Sequence, residues 1–297
     1  MPHSRFARIC IIVTALWLGA FALLPNALLF IVTFLTRDEG AFAALPLTLQ
    51  NYVQLLDPSF LKIFVDSVWL ALGSTLLCLL IGYPFAYGLA SVSQRVRGWL
   101  LLLVIIPFWT SSLIRTYALV IMLKTGGVIS LCLQALGFSD EPVSLLYTEA
   151  AVFVGLAYNL LPFMILPLYA SIEKLDKRLL DAATDLGAGP LNAFRHITLP
   201  LTMPGILAGC MLVFLPGLSM FYVSEVLGGS KGMLLGNFIK NQFLVANNWP
   251  LGSAGSMVMT LFMVVLIAMY KWSVKRTAKS DEADADAGGL VAAGGKA

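Results

Sequence analysis

Six long apolar segments, each with few or no charged residues, dominate the sequence. Their approximate ranges are 9–35, 63–92, 99–123, 149–172, 200–225 and 251–272. A helix needs about 20 predominantly apolar residues to cross a bilayer, and every segment reaches that length. No regular alternation of apolar and polar residues occurs, which argues against a transmembrane β-barrel. The pattern therefore predicts an all-α integral membrane protein with about six transmembrane helices.

Composition agrees with this prediction, because 59% of the 297 residues are hydrophobic and only 12% are charged. Soluble domains carry about 25% charged residues. The net charge of +3 comes from basic loops rather than from a basic surface interleaved with aromatics, so nucleic-acid binding is not indicated. Neither the two histidines nor the four cysteines have metal-ligand spacing, so we expect no metal site.

Basic residues predict the orientation in the membrane, since they concentrate in cytoplasmic loops. With a cytoplasmic N-terminus, thirteen of the nineteen Lys and Arg residues lie inside, five lie outside, and Arg115 lies within a span. Both termini are then cytoplasmic. Ala20-Phe21-Ala22 imitates a signal-peptidase site, but the apolar run continues to Thr36 and predicts an uncleaved first helix. Residues 277–297 have no apolar period and are predicted to form a disordered tail after a membrane domain of residues 1–276.

The longest cytoplasmic connection, residues 173–199, shows a helical pattern of its own. Apolar and small residues recur at three- and four-residue spacing and share one helix face: Ile172, Leu175, Leu179, Ala182, Ala183 and Leu186. Asp176 is placed to cap the start of this helix, and Gly187 to end it. A second short helix is predicted from Pro190 to His196, with Pro200 opening the fifth span. The connection is therefore predicted to be a helical hairpin.

Two interpretations of this hairpin are open on periodicity alone. The small pair Ala182-Ala183 permits close approach of a partner protein, and Asp181 offers that partner a charge. The first helix would then be a docking element. Alternatively, it would be an amphipathic helix resting on the membrane surface.

The spacing of seven residues resembles the EAA motif of ABC importer permeases, E-A-A-x3-G-x9-I-x-L-P. The matching residues are Asp181, Ala182, Ala183, Gly187, Ile197, Leu199 and Pro200. Asp181 stands where the family usually has glutamate, and its side chain is one methylene shorter. In that family the loop is a coupling helix that inserts into a cleft of the ATPase subunit. The resemblance implies the same role here and the type I ABC importer permease fold.

Further blocks make the chain similar to the spermidine/putrescine branch of the binding-protein-dependent transport permeases. They include Gly82-Tyr83-Pro84-Phe85-Ala86, Pro107-Phe108-Trp109-Thr110, Ser171-Ile172-Glu173-Lys174-Leu175-Asp176 and Pro200-Leu201-Thr202-Met203-Pro204-Gly205-Ile206. The resemblance implies a permease subunit of an ATP-driven polyamine importer that forms half of the translocation pathway in a bacterial inner membrane. It implies as partners two copies of an ATPase, a second homologous permease and a periplasmic polyamine-binding protein.

No nucleotide-binding motif occurs in the sequence. G-x-x-x-x-G-K-[ST] and H-E-x-x-H are both missing, so we expect no catalytic residue and no cofactor in this chain. ATP and Mg²⁺ would bind the partner ATPase. A secondary transporter is disfavoured because no internal repeat and no midplane carboxylate are found. An ABC permease for a different small solute remains an alternative.

Among the charged residues of the spans, Asp66, Arg115 and Glu225 are candidates for the substrate path. At about 1.5 Å per residue, Arg115 lies roughly 24 Å from an inner start at Trp99, and Glu225 roughly 38 Å from Pro200. Asp66, near the start of the second span, shares this outer level. Intramembrane charges normally face the bundle interior and have a partner. One interpretation is a structural ion pair of Arg115 with Asp66 or Glu225, and the other is an outer gate for a cation.

Aromatic residues accompany these charges and offer faces to a cation, each worth about 0.5 to 2 kcal/mol. They are Trp109, Tyr117, Tyr158 and Tyr222. Among the acidic candidates Glu225 is favoured, because Tyr222 precedes it by one helical turn and shares its face. We therefore expect Glu225 to contact the substrate.

Overall fold

The structure, a computed structural model, describes residues 5–38, 43–137, 141–229 and 233–294, and their regular structure is helical. The helical segments are, in chain order, Arg5–Leu18, Gly19–Leu23, Leu24–Val32, Gln50–Gln54, Pro58–Ser91, Gln94–Ile105, Ile106–Trp109, Ser112–Leu123, Val128–Ala135, Glu149–Glu173, Lys177–Asp185, Pro190–Ala193, Phe194–Thr198, Leu199–Ser219, Phe221–Val223, Ser224–Gly228, Leu235–Leu244 and Trp249–Gly294. Three of the short segments, Gly19–Leu23, Phe194–Thr198 and Ser224–Gly228, are π-helical turns.

The predicted number of spans is confirmed. Six helices in the described part of the chain are long and apolar enough to cross a membrane: Ala7–Val32, Pro58–Ser91, Ser112–Ala135, Glu149–Glu173, Pro190–Ser219 and Trp249–Trp272. The fourth agrees with its predicted range within one residue. The first is the least enclosed, because none of its most apolar window is buried within the chain.

One compact unit comprises residues 1–67 and 233–261. In this unit Asn51 stabilises the end of the first span: its Nδ2 donates to the carbonyls of Thr33 (2.8 Å) and Leu35 (2.9 Å). The hydroxyl of Tyr52 also donates to Thr33 Oγ1 at 3.1 Å. The last carbonyls of a helix have no intrahelical partner, so these contacts fix how the chain leaves the span.

The second compact unit comprises residues 68–232 and 262–297, and its centre is a close pair of helices, Glu149–Glu173 and Leu199–Ser219. The two helices approach closely at Gly205. A Cβ atom at this position would meet the Ser171 side chain and would lie 2.9 Å from the Pro167 carbonyl oxygen. Small residues permit such close approach between membrane helices, so Gly205 holds this unit's core together.

The predicted third span, 99–123, is wrong as a single straight helix. Gln94–Ile105 passes into a 3₁₀ turn, Ile106–Trp109, and the backbone becomes extended at Thr110 and Ser111 with ψ of 147° and 133°. Pro107 lies in this turn and lacks an N–H for the helix ladder. A new helix starts at Ser112. The predicted depth of Arg115 in the membrane assumed one straight helix from Trp99, so that depth is wrong.

The predicted fifth span, 200–225, also ends earlier. Its helix stops at Ser219 because Met220 leaves the helical region with ψ of 64°. Residues 221–228 form a separate short helix that ends in the π turn Ser224–Gly228. Glu225 therefore lies beyond a backbone break. Its predicted depth in the membrane assumed one straight helix from Pro200, so that depth is wrong too.

The last helix is longer than the predicted span and runs from Trp249 to Gly294. Most of the segment 277–297, predicted to be a disordered tail, is therefore helical in this structure. Its many alanines explain the difference, since alanine has the highest intrinsic helix propensity. Residues 295–297 of the predicted tail lie outside the described residues.

Candidate functional site

The first helix of the connection predicted to be a hairpin, Lys177–Asp185, is called the loop helix below. It starts as the sequence predicts, because Oδ1 of Asp176 accepts a hydrogen bond from the Arg178 amide at 3.0 Å. It also ends as predicted, at Gly187, whose φ of 83° suits glycine.

Two backbone hydrogen bonds complete this helix end. The amide of Gly187 donates to the carbonyl of Thr184, and that of Ala188 to the carbonyl of Ala183, both at 2.9 Å. This pairing is a Schellman motif, which satisfies carbonyls that otherwise lack partners. The loop helix is thus a short rigid element with both ends fixed by the chain itself.

The two alanines of the loop helix have different surroundings. Ala183 is only 8% exposed and packs within its own chain, whereas Ala182 is exposed. Leu179 and Leu186 are 46% and 89% exposed and lie three residues before and four residues after Ala182. This spacing places the three on one side of the helix. Leu179, Ala182 and Leu186 therefore form an exposed apolar stripe.

The second half of the hairpin differs from the prediction. The helix that starts at Pro190 does not end at His196 but continues through the π turn Phe194–Thr198 into the fifth span. In a π turn each N–H bonds to the carbonyl five residues back, and the Leu199 amide bonds to Phe194 in this way. This widened turn precedes Pro200, so the proline is accommodated inside a continuous helix rather than opening one.

The remaining motif residues follow this continuous helix. Ile197 and Leu199 are partly exposed, and Pro200 is exposed. Asp181 is exposed on the loop helix. The structure thus carries the motif on two connected helical segments, with Asp181 and Ala182 accessible and Ala183 enclosed.

Arg115 lies buried among aromatic and polar groups of the second unit, with 8% of its surface exposed. Its Cζ atom is 5.4 Å from the ring centroid of Phe108 and 5.9 Å from that of Tyr158. Next to these residues, Asn159 donates to Thr116 Oγ1 at 3.3 Å and to the Gly155 carbonyl at 2.9 Å. The structure therefore brings Arg115 and Tyr158 together, as a cation held by aromatic faces.

The Nε and Nη1 atoms of Arg115 are buried without a hydrogen-bond partner among the described residues. Phe108 was not predicted to be a partner. It precedes Arg115 by seven residues but lies on the other side of the backbone break at Thr110 and Ser111, so helical spacing could not have predicted the contact.

The other candidates for the substrate path lie at more accessible positions. Glu225 is exposed within the short helix that follows the break at Met220, and Tyr222 of the same helix is partly exposed. Trp109 and Tyr117 are 78% and 53% exposed. Asp66 belongs to the first unit and is exposed. The structure thus leaves these five side chains accessible on the isolated chain while it encloses Arg115.

Comparison with known proteins identifies close relatives. The chain is 50% identical over 260 residues to the spermidine/putrescine transport system permease protein PotB of Escherichia coli K12, which covers 88% of this chain and 94% of that protein. Its counterpart in Haemophilus influenzae is 48% identical over 268 residues, covering 90% and 94%. The inner membrane ABC transporter permease protein YdcU of E. coli K12 is 32% identical over 261 residues, covering 84% and 82%.

Solved structures with low sequence identity share the fold. A crystal structure of a bacterial ABC transporter involved in the import of the acidic polysaccharide alginate matches with a TM-score of 0.71 at 18% identity, covering 91% of this chain and 95% of that chain. The predicted type I ABC importer permease fold is confirmed by this similarity. Residues 79–279 match the family described as the binding-protein-dependent transport system inner membrane component. These residues include the whole loop helix and the helix that follows it. The chain therefore belongs to the family of inner membrane components of binding-protein-dependent transport systems.

Proposed function

We propose that this chain is the membrane permease subunit of an ATP-driven importer of spermidine and putrescine, and that it forms half of the translocation pathway. The observation that carries the proposal is the loop helix, a rigidly capped element with an exposed apolar stripe, in a chain that is 50% identical to a spermidine/putrescine permease. A stripe of exposed leucine and alanine fits a groove on a partner protein better than it fits water. The loop helix is accordingly the docking element for the ATPase.

The proposal assigns ATP hydrolysis to separate chains. Two copies of an ATPase subunit hold ATP and Mg²⁺, a second homologous permease completes the pathway, and a periplasmic polyamine-binding protein delivers the substrate. The family description supports the last partner, since these systems depend on a binding protein. This chain contributes docking and pathway surfaces and performs no catalysis.

Uptake measurements test the proposed function. The chain and the transport genes adjacent to its own are expressed together in bacteria that lack polyamine importers, and uptake of labelled spermidine and putrescine is compared with that of sulfate and of an amino acid. We expect polyamine uptake that vanadate abolishes. Uptake that is insensitive to vanadate would indicate a secondary transporter, and uptake of another solute alone would indicate a permease of different specificity.

The orientation with both termini cytoplasmic is part of this proposal, because it follows from the distribution of basic residues. Reporter fusions after Thr125 and after Ser230 are expected to report the periplasm, and a fusion after Ala188 the cytoplasm. Ser230 lies outside the described residues, whereas Ala188 belongs to the Schellman motif that ends the loop helix. The reverse pattern of reporter activity would contradict the orientation and the proposed docking of the loop helix.

Glu225 is proposed to contact the polyamine, because its carboxylate is exposed on a short helix that also carries Tyr222. We expect Glu225→Gln to lower polyamine uptake, since a neutral amide attracts an ammonium group less strongly. Assembly and basal ATP hydrolysis should remain normal. The matched control is Glu149→Gln, which neutralises another exposed glutamate of the same unit. Wild-type uptake by the Glu225 variant, or its failure to assemble, would assign the substrate contact to another residue.

A further inference from the structure

Arg97 links three helix ends of the second unit. Its Nη1 donates to Oε1 of Glu173, the last residue of helix Glu149–Glu173, at 2.7 Å. Its Nη2 donates to the carbonyls of Ala90 at 3.0 Å and Val92 at 3.2 Å, where helix Pro58–Ser91 ends. Arg97 itself lies in the first turn of helix Gln94–Ile105. The guanidinium of Arg97 thus connects the ends of helices Pro58–Ser91 and Glu149–Glu173 with the start of helix Gln94–Ile105.

The surroundings make this link stronger than an ordinary surface ion pair, which contributes little by itself. The side chain of Arg97 is only 18% exposed. The carbonyls it binds lie at a helix C-terminus, where the helix dipole favours a cation. Its Cζ atom also lies 5.9 Å from the ring centroid of Tyr169, one turn before Glu173. Both Nη atoms of Arg97 therefore have hydrogen-bond partners, whereas its Nε is buried without one among the described residues.

The position of Glu173 gives the link a consequence for transport. Only Lys174, Leu175 and Asp176 separate Glu173 from the loop helix. A displacement of the loop helix by an ATPase therefore reaches Glu173 before any other part of the fourth span. Since Arg97 holds Glu173 against the carbonyls that end helix Pro58–Ser91, the displacement is shared between these helices.

We propose that Arg97 is a positioning residue that transmits the movement of the loop helix to helices Pro58–Ser91 and Gln94–Ile105. The proposal rests on the function proposed above. Without this residue the loop helix would still dock and the ATPase would still turn over. The movement of the loop helix would then displace only the fourth span and not helices Pro58–Ser91 and Gln94–Ile105. Less substrate would therefore cross the membrane for each ATP hydrolysed.

The ratio of transported substrate to hydrolysed ATP tests this role, measured with the complete complex reconstituted in lipid vesicles. A merely structural defect lowers transport and hydrolysis together, whereas loss of transmission lowers the ratio. For Arg97→Gln we expect the ratio to fall about fivefold or more, as for the loss of a typical coupling between sites. Arg97→Lys should be intermediate, because a single ammonium group does not reproduce the planar fork that reaches Glu173 and both carbonyls.

The matched control is Arg95→Gln, which removes an exposed arginine two residues away on the same helix. Its ratio should equal that of the wild type. An unchanged ratio in Arg97→Gln, or failure of that variant to assemble, would overturn the proposal.

Hydrogen exchange in the complete complex provides a readout that does not depend on which solute is transported. Amides near Ala90 should exchange faster in Arg97→Gln than in Arg95→Gln, because the end of helix Pro58–Ser91 loses its cap. Equal exchange in the two variants would show that Arg97 does not hold these ends. If the wild-type complex transported no polyamine, the proposed function would fail, while the exchange comparison would still decide whether the link exists.

Discussion

Replacing Ala182 with aspartate is expected to reduce ATP-driven uptake to background while the chain still inserts into the membrane. Ala182 is exposed at the centre of the apolar stripe, between Leu179 and Leu186. In the proposed complex a carboxylate at this position would be buried in the ATPase groove without a partner, which costs about 3 to 5 kcal/mol. That cost corresponds to a loss of affinity of a hundredfold or more. Co-purification of the ATPase and uptake by whole cells measure the effect.

Thr184→Asp is the matched control for this variant. It introduces the same charge on the same helix, but two residues turn the helix by about 200°, away from the stripe. Thr184 is exposed there, so we expect near-normal docking and uptake. If Ala182→Asp docked and transported as well as Thr184→Asp, the loop helix would be a membrane-surface helix and not a docking element.

Replacing Gly205 with alanine is expected to destabilise the second unit, because the added methyl group has no space. It would overlap the Ser171 side chain and the Pro167 carbonyl, which belongs to a backbone that cannot rotate away. Overpacking of this kind costs about 1 to 3 kcal/mol. We expect a lower thermal unfolding midpoint of the purified chain in detergent and a smaller yield of inserted protein.

Gly88→Ala provides the comparison, since no atom lies within 4 Å of a Cβ placed at that helical glycine. Alanine is also a better helix former than glycine by about 1 kcal/mol, so this variant should be at least as stable as the wild type. An unfolding midpoint of Gly205→Ala equal to that of Gly88→Ala would mean that the two central helices do not pack as closely as described.

The hydrophobic pattern was sufficient to predict the number of spanning helices, because membrane insertion depends mainly on the length and polarity of a segment. The ends of the loop helix were also predictable. Asp176 and Gly187 act through hydrogen bonds and backbone conformation within a few residues. Such local interactions depend on residue type and spacing alone, so they can be predicted from the sequence. The family followed from the spacing of seven residues around this helix, and the match over residues 79–279 confirms it.

Periodicity failed where proline or a backbone break interrupts a span. The apolar runs through Pro107 and Met220 look continuous in the sequence, but the backbone leaves the helix at Thr110 and at Met220. The distances counted along straight helices were therefore wrong for Arg115 and Glu225. A run of apolar residues shows only that a segment prefers lipid, and it carries little information about where the helix axis changes.

The sequence by itself determined that this chain crosses the membrane about six times, belongs to its transport family and has a capped helix in the connection between its fourth and fifth spans. Only the tertiary structure decided which side chains of that helix are accessible, since Ala182 is exposed and Ala183 is enclosed by its own chain. It also decided that Arg115 lies against Phe108 and Tyr158. The physical reason is that composition and local spacing fix insertion and helix ends, whereas exposure and pairing depend on which distant helices pack together.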